Sequence, residues 1–232
     1  MVTVDPPILP PRLFRYRPLG SIELADQELG AILNNFLWCS RYSALNDPME
    51  GFFGASPWLS KQTTYKKLAD EILNQKHTVG ICCFSDTNDN ELMWTHYASN
   101  YAGICVAYST HDLCAGLDDS VHIARVAYNN TPPRIGRADK DDPQRSARKI
   151  LSHKKSSWFY EREWRLLTSQ QGGRVPGPLE IAGKSPVKAV YLGVRLEDGV
   201  KQKLVYSLRI HKIKIYEMKV SNYNHSWPLL TR

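Results

Sequence analysis

Two glutamates two positions apart carry the strongest chemical signal of the chain, in the run Tyr160-Glu161-Arg162-Glu163-Trp164-Arg165. Period-2 alternation sets Glu161, Glu163 and Arg165 on one face if a strand begins that early. Carboxylates held close raise one another's pKa, and a nearby guanidinium opposes that effect. Such a pair can stabilise developing positive charge while its second member orients an acceptor. The same pattern also describes a charged ladder on an exposed strand. Trp164, between the glutamates, must face the other way into a core.

Three further segments hold chemistry-bearing residues. Met93-Trp94-Thr95-His96-Tyr97-Ala98 places a Trp, a His and a Tyr within four positions. Aromatic density beside an imidazole suits stacking on a planar ring, and it equally suits a helical turn whose Trp and Tyr are core. Leu45-Asn46-Asp47-Pro48-Met49 is a stiff turn, since Asn and Asp bond their own backbone and Pro fixes the next φ. Arg15 and Arg17, flanked by Phe14 and Tyr16, could grip a pyrophosphate bidentately or simply charge a surface.

The elements that must position these residues follow from periodicity. Pro6 to Pro11 is an extended lead-in. Strands are expected over 13–17, 36–40, 79–85, 103–108, 121–128, 163–168, 189–193 and 209–220. Helices are expected over 23–34, 61–74, 145–155 and near 197–208, and a short helix or helical turn over 91–98. A polar linker follows 108, and 129–144 reads as a long functional or mobile loop. Residues 174–178 read as a glycine- and proline-rich turn. The expectation is an α+β fold of about four helices with short-stranded mixed or antiparallel sheets, because repeated β-α-β units with glycine-rich turns are missing. Residues 1–11 would be the lead-in and 12–232 one domain.

Composition narrows the class. The 232 residues are 42% hydrophobic and 23% charged, ordinary values for a globular chain with enough apolar side chain to offset chain entropy. No apolar run approaches the ~20 residues that span a bilayer. Met1 to Pro11 has no basic patch followed by an apolar stretch, so no secretory signal is expected. Five cysteines form no C-x-x-C pair, so neither a disulfide framework nor a metal site is expected. A cytoplasmic protein is the expectation. Rossmann, P-loop, H-E-x-x-H and G-x-S-x-G patterns do not occur.

The formal charge is +7, which favours polyanions without naming one. It concentrates in Arg134, Arg137, Lys140, Arg145, Arg148, Lys149, Lys154 and Lys155. A second set is Lys201, Lys203, Arg209, Lys212, Lys214 and Lys219. The Arg134–Lys155 segment is the expected contact for nucleic acid or another polyanion.

Taken together, the motifs resemble the bacterial domain-of-unknown-function family two-nine-seven-one. Its segments stand here as Leu13-Phe14-Arg15-Tyr16-Arg17, Leu37-Trp38-Cys39-Ser40 and Leu45-Asn46-Asp47-Pro48. They continue as Met93 to Ala98 with Gly103, and as Lys154, Trp158 and Tyr160 to Arg165. Tyr191-Leu192-Gly193 matches a late strand end. Leu45 replaces the usual phenylalanine. In this pattern Asn46, Asp47, Lys154, Trp158 and Arg165 are motif or structural positions.

A second resemblance is to ADP-ribosyltransferases, in the order of a basic first strand, a helix, a second strand ending in serine and a late E-x-E strand. It implies an ADP-ribosyltransferase-like fold and NAD as substrate. Arg15 or Arg17, with Tyr16, would hold NAD, and Ser40 would support the nicotinamide side. Trp94, Tyr97 and His96 would line the cleft. Glu163 would be the catalytic glutamate beside Glu161, acting on a macromolecule such as nucleic acid in a toxin or phage-defence role. Two alternatives stay open. One is a non-enzymatic nucleic-acid-binding module, and the other a metal-independent RNA-processing enzyme with His96 as general base.

Overall fold

Buried and part-exposed side chains alternate from Phe14 to Arg17, after a buried Leu13, in Arg12–Arg17, which forms strand β1 in this computed structural model. The structure describes residues 8–169, 172–175, 180 and 183–230. Most of the expected lead-in, and much of the 174–178 turn, lie outside those residues. Ser21 accepts a hydrogen bond from the Leu24 N–H and starts α1 (Ile22–Leu33). Then come β2 (Trp38–Arg41), β3 (Gly54–Ala55), α2 (Tyr65–Thr78) and β4 (Gly80–Ser85). Asn90 caps α3 (Glu91–Tyr97), which is followed by β5 (Ile104–Ser109) and α4 (Thr110–Ala115).

Four short strands come next: β6 (His122–Arg125), β7 (Ala127–Tyr128), β8 (Arg134–Ile135) and, after α5 (Pro143–Ile150), β9 (His153–Lys154). The rest of the chain supplies β10 (Glu163–Thr168), β11 (Gly173–Arg174), β12 (Val187–Leu192), α6 (Asp198–Ile210), β13 (Lys214–Glu217), β14 (Lys219–Ser221) and β15 (Asn224–Ser226). The α+β class stands.

Six α-helices and four short 3₁₀ segments, rather than about four helices, are present among the described residues. The expected polar linker after 108 is α4, six residues long and capped by Ser109; so short a helix leaves no periodic signature. The basic helix is Pro143–Ile150 rather than 145–155. It starts earlier because Asp142 caps it and Pro143 takes the first turn. It stops earlier because His153–Lys154 pair with Ala127–Tyr128 as a parallel ladder. The expected strand 121–128 splits at buried Val126 into β6 and β7. The loop 129–144 contains β8, which pairs with β3. The start of the expected strand 209–220 is the end of α6 and a turn, with Lys212 at φ 55°.

The contacts divide the chain into two compact units. Unit 1 comprises the described residues of 1–37, 84–117 and 177–232, and unit 2 those of 38–83 and 118–176. In unit 1 the strand order is β1-β5-β12-β13. The β1–β5 pair is antiparallel from Arg12 opposite Ser109 to Arg17 opposite Ile104. The β12–β13 pair is parallel, so it requires a crossover, and α6 provides it. Gly103, after the Trp-His-Tyr segment, has a positional reason: a Cβ there would sit 2.3 Å from the Arg17 carbonyl oxygen.

In unit 2 the order is β11-β2-β4, and β10 pairs with both β4 and β6. Helices α2 and α5 pack over a core of Leu59, Leu68, Ile72, Ile135 and Ile150. A second core joins Val79, Ile81, Leu151 and Leu167. Every residue of β10 is buried. A strand that is buried throughout yet carries Glu163 and Arg165 must satisfy those charges internally.

Candidate functional site

The site of unit 2 is built from the charges that β10 buries. Arg165 donates from Nε to Glu163 Oε1 and from Nη2 to Glu163 Oε2, both at 2.8 Å. Its Nη1 donates to the Leu151 carbonyl at 2.7 Å and lies 2.6 Å from Glu50 Oε2. Lys154 Nζ donates to Glu161 Oε2 at 2.6 Å. It also lies 3.2 Å from Glu50 Oε1 and 3.7 Å from Glu163 Oε2. The ring of Trp158 covers the ammonium at 4.6 Å. All five charged side chains are almost wholly buried. Three carboxylates thus meet two cations, a formal excess of one negative charge.

The electrostatics follow from that packing. Burial pushes the Glu163 carboxyl up, but Arg165, with help from Lys154 and the Cys83 thiol, outweighs burial and holds it down at about 2. Burial lowers the Lys154 pKa, and Glu163, Glu50 and Glu161 more than restore it. Burial and the charge of Glu163 raise the Cys83 thiol well above its ordinary value. The Tyr128 hydroxyl accepts a hydrogen bond from the Glu163 N–H at 2.8 Å, and its own pKa is raised chiefly by burial.

A groove of about 280 Å3 opens beside this cluster. Met49, Gly51 and Phe52 form one wall, Asn129 to Pro133 another, and His153, Lys154 and Lys155 the third. Met49 and Phe52 are exposed large apolar side chains. Their turn is held by several contacts. Asp47 Oδ1 accepts from the Met49 N–H at 2.9 Å, and the Tyr42 hydroxyl donates to the Glu50 carbonyl at 2.9 Å. Lys76 Nζ donates to the Gly51 carbonyl at 2.6 Å and lies 4.6 Å over the Tyr42 ring. Gly51 sits at φ 78°, where a Cβ would strike the Tyr42 hydroxyl at 2.5 Å and its ring at 2.7 Å. Lys154 therefore belongs to the groove wall and the ionic cluster at once.

The sequence-derived site residues fall into both units. Glu161, Glu163, Lys154, Trp158 and Arg165 converge as described. Glu161 does so although β10 starts only at Glu163, because Arg162 turns through a left-handed conformation at φ 48°. Trp164 is buried as expected. Ser40 lies on β2 opposite Ile81 of β4, the strand that also pairs with β10. Asn46 is exposed and Asp47 buried in the turn leading to Glu50. Asp47 Oδ2 is buried with no hydrogen-bond partner among the described residues.

The remaining candidates belong to unit 1. Arg17 pairs with Glu28 of α1, and Arg15 is half-buried on the same strand face. Tyr16 is buried, and its hydroxyl donates to the Thr87 carbonyl at 3.0 Å. Trp94 is a core residue, fully buried, with its ring near Tyr16, Tyr101 and Trp227 and its indole N–H bonded to the Asn88 carbonyl. His96 is exposed and Tyr97 half-buried.

Sequence reading passed over Glu50, Gly51, Phe52, Lys76, Cys83 and Tyr128. Glu50 carried a usable signal, since an acid two positions after N-D-P supplies a third carboxylate. The others have no local motif. Among the described residues no three His, Cys, Asp or Glu side chains are arranged to hold a metal ion, and no helix is long and apolar enough to cross a membrane.

Comparison with protein families gives one match. Residues 93–166 match the model of a family described as "Protein of unknown function (DUF2971)". The matched segment is about a third of the chain and contains both Met93–Ala98 and Lys154–Arg165. It supports the resemblance to that family. The segments 13–17, 37–40, 45–48 and 191–193 lie outside it. No curated protein and no solved structure matches the chain.

Proposed function

We propose that this chain is an NAD-dependent ADP-ribosyltransferase-like enzyme whose chemistry takes place in the groove of unit 2. One observation carries the reading: the groove wall includes Lys154, and directly behind Lys154 lies a buried cluster with one excess negative charge. A volume of about 280 Å3 is at the small end for ligand sites and takes part of a dinucleotide. Phe52 and Met49 offer apolar contact for a planar ring, and Lys155 and His153 offer donors to phosphate.

In the reaction the bond between ribose C1′ and nicotinamide nitrogen breaks, and its electron pair leaves with nicotinamide. An acceptor oxygen or nitrogen forms the new bond to C1′ and releases a proton. Positive charge develops on the ribose in between, and fixed negative charge close by stabilises it. Glu163 and Glu161 take the charge-stabilising and orienting roles, with Ser40 on β2, which pairs with β4 as β10 does. The assignment of Arg15 or Arg17 to NAD rests on sequence position alone.

The test is nicotinamide release from NAD by the full chain. Release is expected to be abolished by Glu163→Gln and to show a raised KM in Phe52→Ala, with near-ultraviolet circular dichroism confirming a folded protein. Release by folded Glu163→Gln at the wild-type rate would overturn the catalytic assignment. Absence of both release and saturable NAD binding by the wild type would overturn the reading itself.

A second reading, a nucleic-acid-binding module, draws on α5. Ser146, Ala147 and Ile150 face inward, leaving Arg145 exposed and Arg148 half-exposed, with Arg134 and Lys155 exposed nearby in sequence. Structure subtracts from this patch, because Lys149 pairs with Asp139 and Lys154 is buried.

A further inference from the structure

The C-terminal basic residues lie in different settings. Lys201 pairs with Glu217, Lys219 lies 3.6 Å from the same carboxylate, and Lys203 pairs with Asp26. Arg209, Lys212 and Lys214 line one groove of unit 1, with Ile213, Ile215, Leu229 and Leu230 as its remaining lining. Its volume is about 540 Å3. Among the described residues neither Lys212 nor Lys214 has an ion-pair partner.

The chain path explains the convergence. Arg209 is in the last turn of α6, Lys212 sits in the left-handed turn after it, and Lys214 opens β13. The tail supplies the far wall: the Leu230 N–H donates to the Ile215 carbonyl at 2.8 Å, and Tyr216 bridges to Leu229. Leu229 is 47% exposed, and on α6 Tyr206 and Ile210 are 71% and 60% exposed. Tyr206 is one helical turn from Arg209 and Ile210, so the three share a side of the helix.

We propose that this groove docks a single-stranded nucleic acid. Three cations around an apolar floor match an anionic backbone whose planar bases need apolar or aromatic contact. The exposed apolar side chains lie beside the cations rather than on a separate face, which suits a polymer alternating phosphate and base. The concave shape suits a strand rather than a flat bilayer. This docking face is independent of the NAD chemistry proposed for unit 2.

The experiment uses the full chain and a fluorescently labelled oligo-dT or oligo-U, read by anisotropy between 50 and 200 mM salt. The variant is Lys212→Glu with Lys214→Glu. Both residues are exposed, so the melting temperature should stay at the wild-type value. Affinity should fall by about tenfold or more. The slope of log affinity against log salt should shrink by roughly 1.4, at about 0.7 per lost phosphate contact. Tyr206→Ala should weaken binding at all salt concentrations. Unchanged affinity in the double variant would overturn the proposal, as would equal competition by poly-glutamate, which would assign the groove to acidic protein segments. Loss of NAD turnover with oligonucleotide binding intact would leave this inference standing, so the two proposals fail separately.

Discussion

Glu163 and Arg165 project from the same side of β10 and close a doubly hydrogen-bonded pair in the interior of unit 2, with 2.8 Å at both contacts. The guanidinium uses all three nitrogens, since its remaining one serves Leu151 and Glu50. A planar fork meets that demand and an ammonium does not.

Replacing Arg165 should therefore be costly. Arg165→Met leaves the buried Glu163 and Glu50 with only Lys154, already bonded to Glu161, to balance them, and breaking such a pair costs about 3–5 kcal/mol. Arg165→Lys should recover only part of that loss. Urea denaturation of both variants checks it, and a lysine variant as stable as wild type would contradict the bidentate role.

Acid should destabilise unit 2 through the same pair. Glu163 titrates at about 2 when folded, against 4.5 ordinarily. A carboxyl with a lowered folded pKa adds stability that is fully present above the ordinary value and is lost as pH falls from there toward the folded one. Stability should hold from pH 7 to about 5 and decline between about 4.5 and 2. Urea midpoints at pH 6 and pH 3 measure the drop, and Glu163→Gln should make it shallower.

Gly51→Ala should damage the groove wall. The residue has positive φ and no room for a Cβ against Tyr42. A loss of about 1–3 kcal/mol is expected from backbone strain alone, measurable by thermal melting. Ligand affinity at the Met49–Phe52 wall should fall with it.

Trp94 and His96 should separate cleanly in stability. Trp94→Ala removes a fully buried ring and should cost about 3–5 kcal/mol. His96→Ala, on the exposed face of α3, should change stability by less than about 0.5 kcal/mol. Melting temperatures of the two variants test this directly.

Local order was largely legible in the sequence. The limits of β10, the start of α3 and the two-faced character of β1 follow from alternation and capping, which act over a few residues. The structure departs from the expected strand 121–128 and helix 145–155 for one reason. Pairing of Ala127–Tyr128 with His153–Lys154 is a long-range event, and it overrides local propensity at both places.

The candidate site shows the same division. Sequence alone determined that Glu163 and Arg165 share one face of a strand and that Asn46-Asp47-Pro48 must turn. Only tertiary structure brought Glu50 from that turn to Lys154 and Arg165, and so converted separate motifs into one buried ionic cluster. It also decided which lysines lie beside a carboxylate, as Lys149 does with Asp139 and Lys203 with Asp26. Charge is a property of a residue, but its availability depends on which opposite charge the fold places within reach.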